Sequence, residues 1–336
     1  MVNPRKIRAA ISIGDPNGIG IEIILKSLSK EEVLDKIIPI VFGSYNLIMN
    51  QAQALGQEVS MLHPISEINN AKENRINILN VFDNCDYKFG VLDKAVSDFG
   101  ILSLELAINA VKNKQADVLV TAPINKNAAY SQSFKFSGQT DYLSSFFNLE
   151  ALMLMVSDSL KMALTTDHIP LKEVHSVLSK DLIKRKIEIL NKALQEDFKI
   201  LNPKIAVLAI NPHAGDNGVI GNDDNSLTIP VINELNSNNY SIEGPFPSDT
   251  FFSNERYKKY DAVLAAYHDQ GLIPFKTINF GKGVNFSAGL PIIRTSPDHG
   301  TAYDIAGKGL ADPTSFIKAT EIASNIYFAR NNLISK

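Results

Sequence analysis

Short apolar runs alternate with amphipathic stretches along almost the whole chain. Ile7–Ile13 reads as a strand and Gly20–Leu28 as a helix, followed by a strand at Pro39–Phe42 and a helix at Tyr45–Leu55. Phe99–Lys112 has helical spacing and leads into the strand Val118–Thr121. Apolar residues from Leu152 through Val156 and onward form another strand, and the helix Leu182–Asp197 precedes the strand Ile205–Ile210. Leu227–Leu235 reads as helix and Asp261–Ala266 as strand. This β–α order predicts an α/β fold, with a largely parallel sheet covered by helices on both faces. A chain of 336 residues exceeds one ordinary core, so two α/β/α lobes are expected. No Pro/Gly/Ser linker or internal repeat interrupts the pattern. Lobes crossed more than once by the chain explain that, so residues 1–336 are expected to form one unit of two discontinuous lobes.

Composition narrows the function classes. Hydrophobic residues make up 45% and charged residues 21% of the chain, as in ordinary globular proteins. A net charge of −3 argues against a general nucleic-acid binder, which needs a basic face. A few placed Lys and Arg still suffice for a small anionic substrate. The one cysteine, Cys85, has no internal disulfide partner and fits a reducing cytoplasm. The segment MVNPRKIRAAISIGDP lacks the apolar stretch of a signal peptide, and no run reaches the length of a membrane span. A cytoplasmic protein without membrane contact is expected.

Three of the six histidines follow predicted strands in short polar turns. They are His168 in Thr-Thr-Asp-His-Ile-Pro, His213 in Asn-Pro-His-Ala-Gly and His268 in Tyr-His-Asp-Gln-Gly. Turns of this kind place side chains at the carboxyl edge of a sheet, where α/β proteins hold ligands. Three imidazoles meeting there bind a divalent metal and leave coordination positions open. Three separate loop histidines, each hydrogen-bonded locally, give the same sequence pattern, and no HExxH signature decides between the two.

The turn Gly14-Asp15-Pro16-Asn17-Gly18-Ile19-Gly20 joins the first strand to the first helix. It fits either a tight turn or an anion cradle at a helix start. It matches neither GxGxxG, because Ile23 is not glycine, nor the phosphate-loop pattern, because no Lys follows. Lys276, Asn285 and Arg294 lie near the ends of apolar runs and make a candidate clamp for phosphate and carboxylate; Lys126 is a weaker candidate.

The run Asp298-His299-Gly300-Thr301-Ala302-Tyr303-Asp304-Ile305-Ala306-Gly307-Lys308-Gly309 resembles the adenosine-binding loop HGSAPDIAGKG of isocitrate and isopropylmalate dehydrogenases. Those enzymes bind NAD(P) without a Rossmann fingerprint. The wider resemblance is to the 4-hydroxythreonine-4-phosphate dehydrogenase family of vitamin B6 biosynthesis. It is carried by GDPNGIGIE at 14–22, VTAPINK at 120–126, NPHAGDNG at 211–218, GPFPSDTFF at 244–252, YDAVLAAYHDQGLIPFK at 260–276 and GLPIIRTSPDHGTAYDIAGKG at 289–309.

The resemblance implies an isocitrate/isopropylmalate dehydrogenase-like fold, two α/β/α lobes around a central cleft, and a catalytic homodimer with its site at the subunit interface. It implies metal ligands at His168, His213 and His268, with Zn, Co or Mg as the ion. Substrate contacts correspond to Thr140, Lys276, Asn285 and Arg294, with position 139 in the same contacting segment. His299, Gly300 and Asp304 correspond to the NAD (or NADP) loop. Asp249 and Asp269 are candidate proton-transfer or ligand-orienting groups.

The chain departs from the family pattern where Gly138-Gln139-Thr140-Asp141 replaces the usual Gly-His-Thr-Glu, and where Asn285-Phe286-Ser287-Ala288-Gly289 replaces Asn-Ile-Thr-Leu-Gly. Gln139 keeps a donor and an acceptor but not a titratable charge near neutrality. The implied reaction is metal-assisted oxidation of a C3 hydroxyl by NAD followed by decarboxylation. Oxidation of another four-carbon phosphorylated hydroxy acid, phosphate acyl transfer on the same fold, and non-catalytic metal or phosphate binding are the alternatives.

Overall fold

The structure, a computed structural model, describes residues 5–129, 135–136 and 138–332. The chain divides into two compact units, each built from separate stretches of sequence. The first comprises Met1–Ser137 and Pro291–Phe328, the second Gly138–Leu290 and Ala329–Lys336. Among the described residues, twelve strands run in chain order as β1 (Ile7–Ser12), β2 (Ile37–Gly43), β3 (Leu62–Ile65), β4 (Ile76–Asn80), β5 (Val118–Thr121) and β6 (Leu152–Val156). They continue with β7 (Lys161–Leu164), β8 (Lys204–Leu208), β9 (Ser241–Phe246), β10 (Ala262–Ala265), β11 (Val284–Ala288) and β12 (Arg294–Pro297).

The strands of the first unit lie in the order β3-β4-β2-β1-β5-β12 and pair in parallel. Their direction of travel reverses at β1, so the Gly-rich turn after β1 occupies a topological switch point. The helix Gly20–Leu28 matches its predicted limits; Glu22 in its first turn pairs with Lys26 in its last at 2.8 Å. The helix predicted from Phe99 starts earlier, at Lys94. Asp93 explains this, because its Oδ1 accepts from the backbone N–H groups of Ala95 and Val96 and caps the helix there.

The second unit has the order β11-β6-β7-β10-β8-β9. Here β7, β10, β8 and β9 pair in parallel, whereas β6 is antiparallel to both β7 and β11. The apolar run from Leu152 therefore does not lead straight to His168: the chain turns back after Val156, and β7 delivers that histidine. Ser157 makes the turn, its Oγ accepting from Leu160 N–H. Strand β10 is wholly buried, as suits a central strand covered on both faces. The predicted strand Ile205–Ile210 ends at Leu208: Ala209 N–H makes a last bond to Phe246 O, and the N–H groups after it turn away from the sheet. Those of Ile210 and Asn211 donate to the carboxylate of Asp224. Leu227–Leu235 proves to be a π-helical turn, Asp224–Thr228, running into the α-helix Ile229–Ser237. Pro230 lacks the N–H that a continuous α-helix needs there.

Candidate active site

Parallel strands β7, β10 and β8 are neighbours and end at one edge of the second unit. His168, His268 and His213 follow them respectively, so all three histidines emerge from the same carboxyl edge. The turns after β7 and β10 are drawn together beyond the strands. Thr165 N–H donates to Ala265 O at 2.8 Å, and Thr166 donates to Ala266 O from both N–H and Oγ1. The result is a close imidazole pair, with His168 and His268 ring centroids 5.7 Å apart.

The two rings are held differently. Nδ1 of His268 lies 2.7 Å from Asp269 Oδ1. With Nδ1–H donating there, Nε2 carries the lone pair that a metal requires. Nδ1 of His168 is shielded from water and has no hydrogen-bond partner, with the Asp141 carboxylate 3.8 Å away. An orphaned, buried imidazole nitrogen beside a carboxylate and a second imidazole fits a divalent cation. Among the described residues, Asp141, Asp167 and His168 have ligand atoms all within 4.8 Å of one another.

His213 is presented otherwise. It sits in a left-handed run, His213–Asn217, and lines a cavity of about 800 Å³ with Ser248, Asp249, Tyr267, Asp269 and Gln270. Both candidate proton-transfer carboxylates, Asp249 and Asp269, thus face one cavity with a candidate ligand. Gln270 stitches its floor: Nε2 donates to Ala209 O and Ser248 Oγ, and Oε1 accepts from Ala266 N–H. The structure joins His168 to His268 and leaves His213 outside that pair.

Gln139 and Thr140, both buried, open the short helix Gln139–Phe147, with Asp141 in the same turn. Thr140 Oγ1 lies 3.3 Å from Ser287 Oγ. Asn285 shares the face of Ser287 on β11 and leaves Oδ1 buried without a hydrogen-bond partner. One helical turn therefore links the candidate substrate contacts Gln139 and Thr140 to Asp141 on the His168 side. Lys276 is exposed in the last turn of the helix His268–Ile278, eight residues beyond His268 and roughly 12 Å further along the axis.

The remaining candidates belong to the first unit. Arg294 is buried, and its Nε and Nη2 donate to Thr121 Oγ1 at 3.2 and 2.8 Å. Burial pushes its guanidinium down to about 9, an environment that an anionic ligand relieves. In the 298–309 loop, His299 Nε2 is buried without a partner, Gly300 opens onto free space and Asp304 is exposed. The Gly-rich turn packs tightly on this loop: Ile19 N–H donates to Thr301 O, and Gly18 has room for no Cβ because Thr301 O would lie 2.9 Å from it.

Comparison with known proteins completes this geometry. The family model for pyridoxal phosphate biosynthetic protein PdxA matches residues 35–323. A 4-hydroxythreonine-4-phosphate dehydrogenase from Bacteroides thetaiotaomicron is 39% identical over 96% of this chain and 89% of its own. The chain belongs to the PdxA family. A crystal structure of the 4-hydroxythreonine-4-phosphate dehydrogenase from Klebsiella pneumoniae is 30% identical, with a TM-score of 0.84 over 97% of this chain and 99% of that one. A β-decarboxylating dehydrogenase from Thermococcus kodakarensis shares the fold alone, at 14% identity and a TM-score of 0.51 over 94% and 81% of the two chains.

Within this PdxA chain, several site-forming residues escaped the sequence reading. Asp224, Gln270, Asp141 and Ser287 act through backbone groups or partners distant in sequence. The Asp223-Asp224 pair after a Gly-rich stretch was the available signal for a loop clamp.

Proposed function

We propose that the protein is an NAD-dependent, divalent-metal-assisted 4-hydroxythreonine-4-phosphate dehydrogenase acting in pyridoxal phosphate biosynthesis. The observation that carries this reading is the His168–His268 pair at a shared strand edge, in a chain of the PdxA family. His168, His268 and His213 would hold the ion, which would supply a Lewis acid that lowers the pKa of the substrate hydroxyl. His299, Gly300 and Asp304 would hold NAD, which would supply the hydride acceptor. The substrate C3–H and O–H bonds give way to a C=O bond, with release of one proton. The product, 2-amino-3-oxo-4-(phosphonooxy)butanoate, then loses CO2 to leave 3-amino-2-oxopropyl phosphate.

The chain's own residues bind and orient. Arg294 and Lys276 hold anionic ends, and Thr140 and Asn285 fix the polar groups between them. Asp269 sets the His268 tautomer, and Asp249 faces the cavity where a proton leaves. A homodimer completing the site fits the exposed apolar side chains Ile273, Ile278 and Phe280 on or beside the helix that lines the His213 cavity.

The test is NADH formation from 4-phosphohydroxy-L-threonine, with unphosphorylated 4-hydroxythreonine as control. Rapid turnover of the phosphorylated compound alone supports the assignment; turnover of neither contradicts it. Gln139, buried where the family carries His, favours one second reading: another four-carbon phosphorylated hydroxy acid as substrate. NAD reduction by such an acid, with none from phosphohydroxythreonine, selects it.

A further inference from the structure

We propose that Asp141 and Asp167 are direct oxygen donors to the ion held by His168, making a mixed carboxylate–imidazole centre suited to Mg2+ or Mn2+. The inference rests on the metal reading above and deepens it, because three imidazoles alone would favour Zn or Co.

Distance supports direct donation. Asp141 Oδ2 is 3.8 Å from His168 Nδ1, too long for a hydrogen bond. Two donors each about 2.1 Å from one ion lie at most about 4.2 Å apart, so the same spacing is ordinary for co-ligands. The group formed with Asp167 stays within 4.8 Å, so binding needs the outermost donors to close in by about half an ångström on the ion. Asp141 is held by the first turn of the helix Gln139–Phe147. Oδ1 of Asp167 accepts from His168 N–H at 2.8 Å, which anchors that carboxylate beside the ring.

Charge points the same way. Among the described residues, neither Asp141 nor Asp167 is ion-paired with a lysine or arginine. Two adjacent carboxylates repel each other unless a cation lies between them. The contrast with His268 is informative: its carboxylate partner, Asp269, bonds Nδ1 directly at 2.7 Å and so acts by orienting the ring. At His168 the nitrogen facing Asp141 has no such bond and is the one shielded from water. Oxygen donors bearing negative charge raise affinity for hard ions and allow coordination beyond four.

The test uses the full chain stripped of metal and titrated calorimetrically with MnCl2 or ZnCl2, without substrate or NAD. Wild type should bind both ions. Losing a carboxylate that only orients a ligand already costs about 10–100-fold in metal affinity. Asp141→Asn should therefore lose at least about tenfold for Mn2+ and distinctly less for Zn2+; Asp167→Asn, which keeps the acceptor for His168 N–H, should follow it. Asp141→Glu should restore Mn2+ binding, and circular dichroism should show all variants folded. Unchanged Mn2+ affinity in Asp141→Asn would overturn the proposal. So would equal losses for both ions, which mark an orienting carboxylate. Absence of binding by wild type would instead overturn the metal reading itself.

Discussion

The Tyr303 hydroxyl donates a 2.7 Å hydrogen bond to Oδ2 of Asp15, far away in sequence. The same oxygen accepts from Ser97 Oγ at 2.6 Å, while Oδ1 accepts from Asn17 N–H. Asp15 is buried, so the carboxylate depends on these donors. Lys26 adds a further tie, its Nζ donating to Gly309 O and Ala311 O. The Gly-rich turn is thus a socket for the 298–311 loop, and the cofactor-loop candidates are positioned through it.

Desolvation, then the bond to Asp15, pushes the Tyr303 phenol above its ordinary range. The unfolded chain releases that proton near about pH 10, whereas the folded chain keeps it to higher pH. The folded state therefore binds more protons above about pH 10, and this contribution to stability is lost as pH rises. Tyr303→Phe removes the term. Its Tm should fall less steeply than that of wild type between about pH 9 and 11, and parallel Tm profiles would contradict the account.

Asp224 predicts a different outcome. It is fully buried and accepts from Ile210 and Asn211 N–H at 2.9 and 3.0 Å, fixing the start of the loop that carries His213. Asp224→Asn keeps an acceptor for one of those donors and turns an amide N–H2 toward the other. Leaving a buried donor unsatisfied costs about 1–3 kcal/mol. Thermal or urea unfolding should show a loss of that size together with weakened metal retention. Unaltered stability would mean that the loop is held by other contacts.

Gln139 tests the substrate side. A charge-assisted hydrogen bond to phosphate contributes about 1–3 kcal/mol, or one to two decades in kcat/KM. A missing general acid–base costs about two to four decades. In Gln139→His, a gain mainly in KM identifies a phosphate contact. A gain mainly in kcat, with a new titration near about pH 6–7, identifies a proton-transfer role.

Where local chemistry decided structure, the sequence was a good guide. Gly20–Leu28 and Val118–Thr121 are bounded by their own turn and patterning residues, and both elements lie where expected. The strand-end placement of the three histidines was legible for the same reason. The β6–β7 hairpin was not, because Met153–Val156 and Met162–Leu164 form one nearly continuous apolar stretch with a weak turn signal. The left-handed run at His213–Asn217 was hidden too: His213, Ala214 and Asp216 adopt positive φ under tertiary restraint, against their usual preference. The proximity of Asp141 to His168 depends on packing between a helix and a strand end, to which no local pattern corresponds.

The central claim is that a metal held by this chain's histidines is required for oxidation. The most direct measurement couples elemental analysis to NADH formation from 4-phosphohydroxy-L-threonine in wild type, His168→Ala, His213→Ala and His268→Ala. The account predicts metal in the wild type, reduced metal and turnover together in each variant, and loss of wild-type turnover on chelation with recovery on adding Zn, Co or Mg. Full NADH formation by metal-free wild type, or unchanged metal content in all three variants, would contradict it.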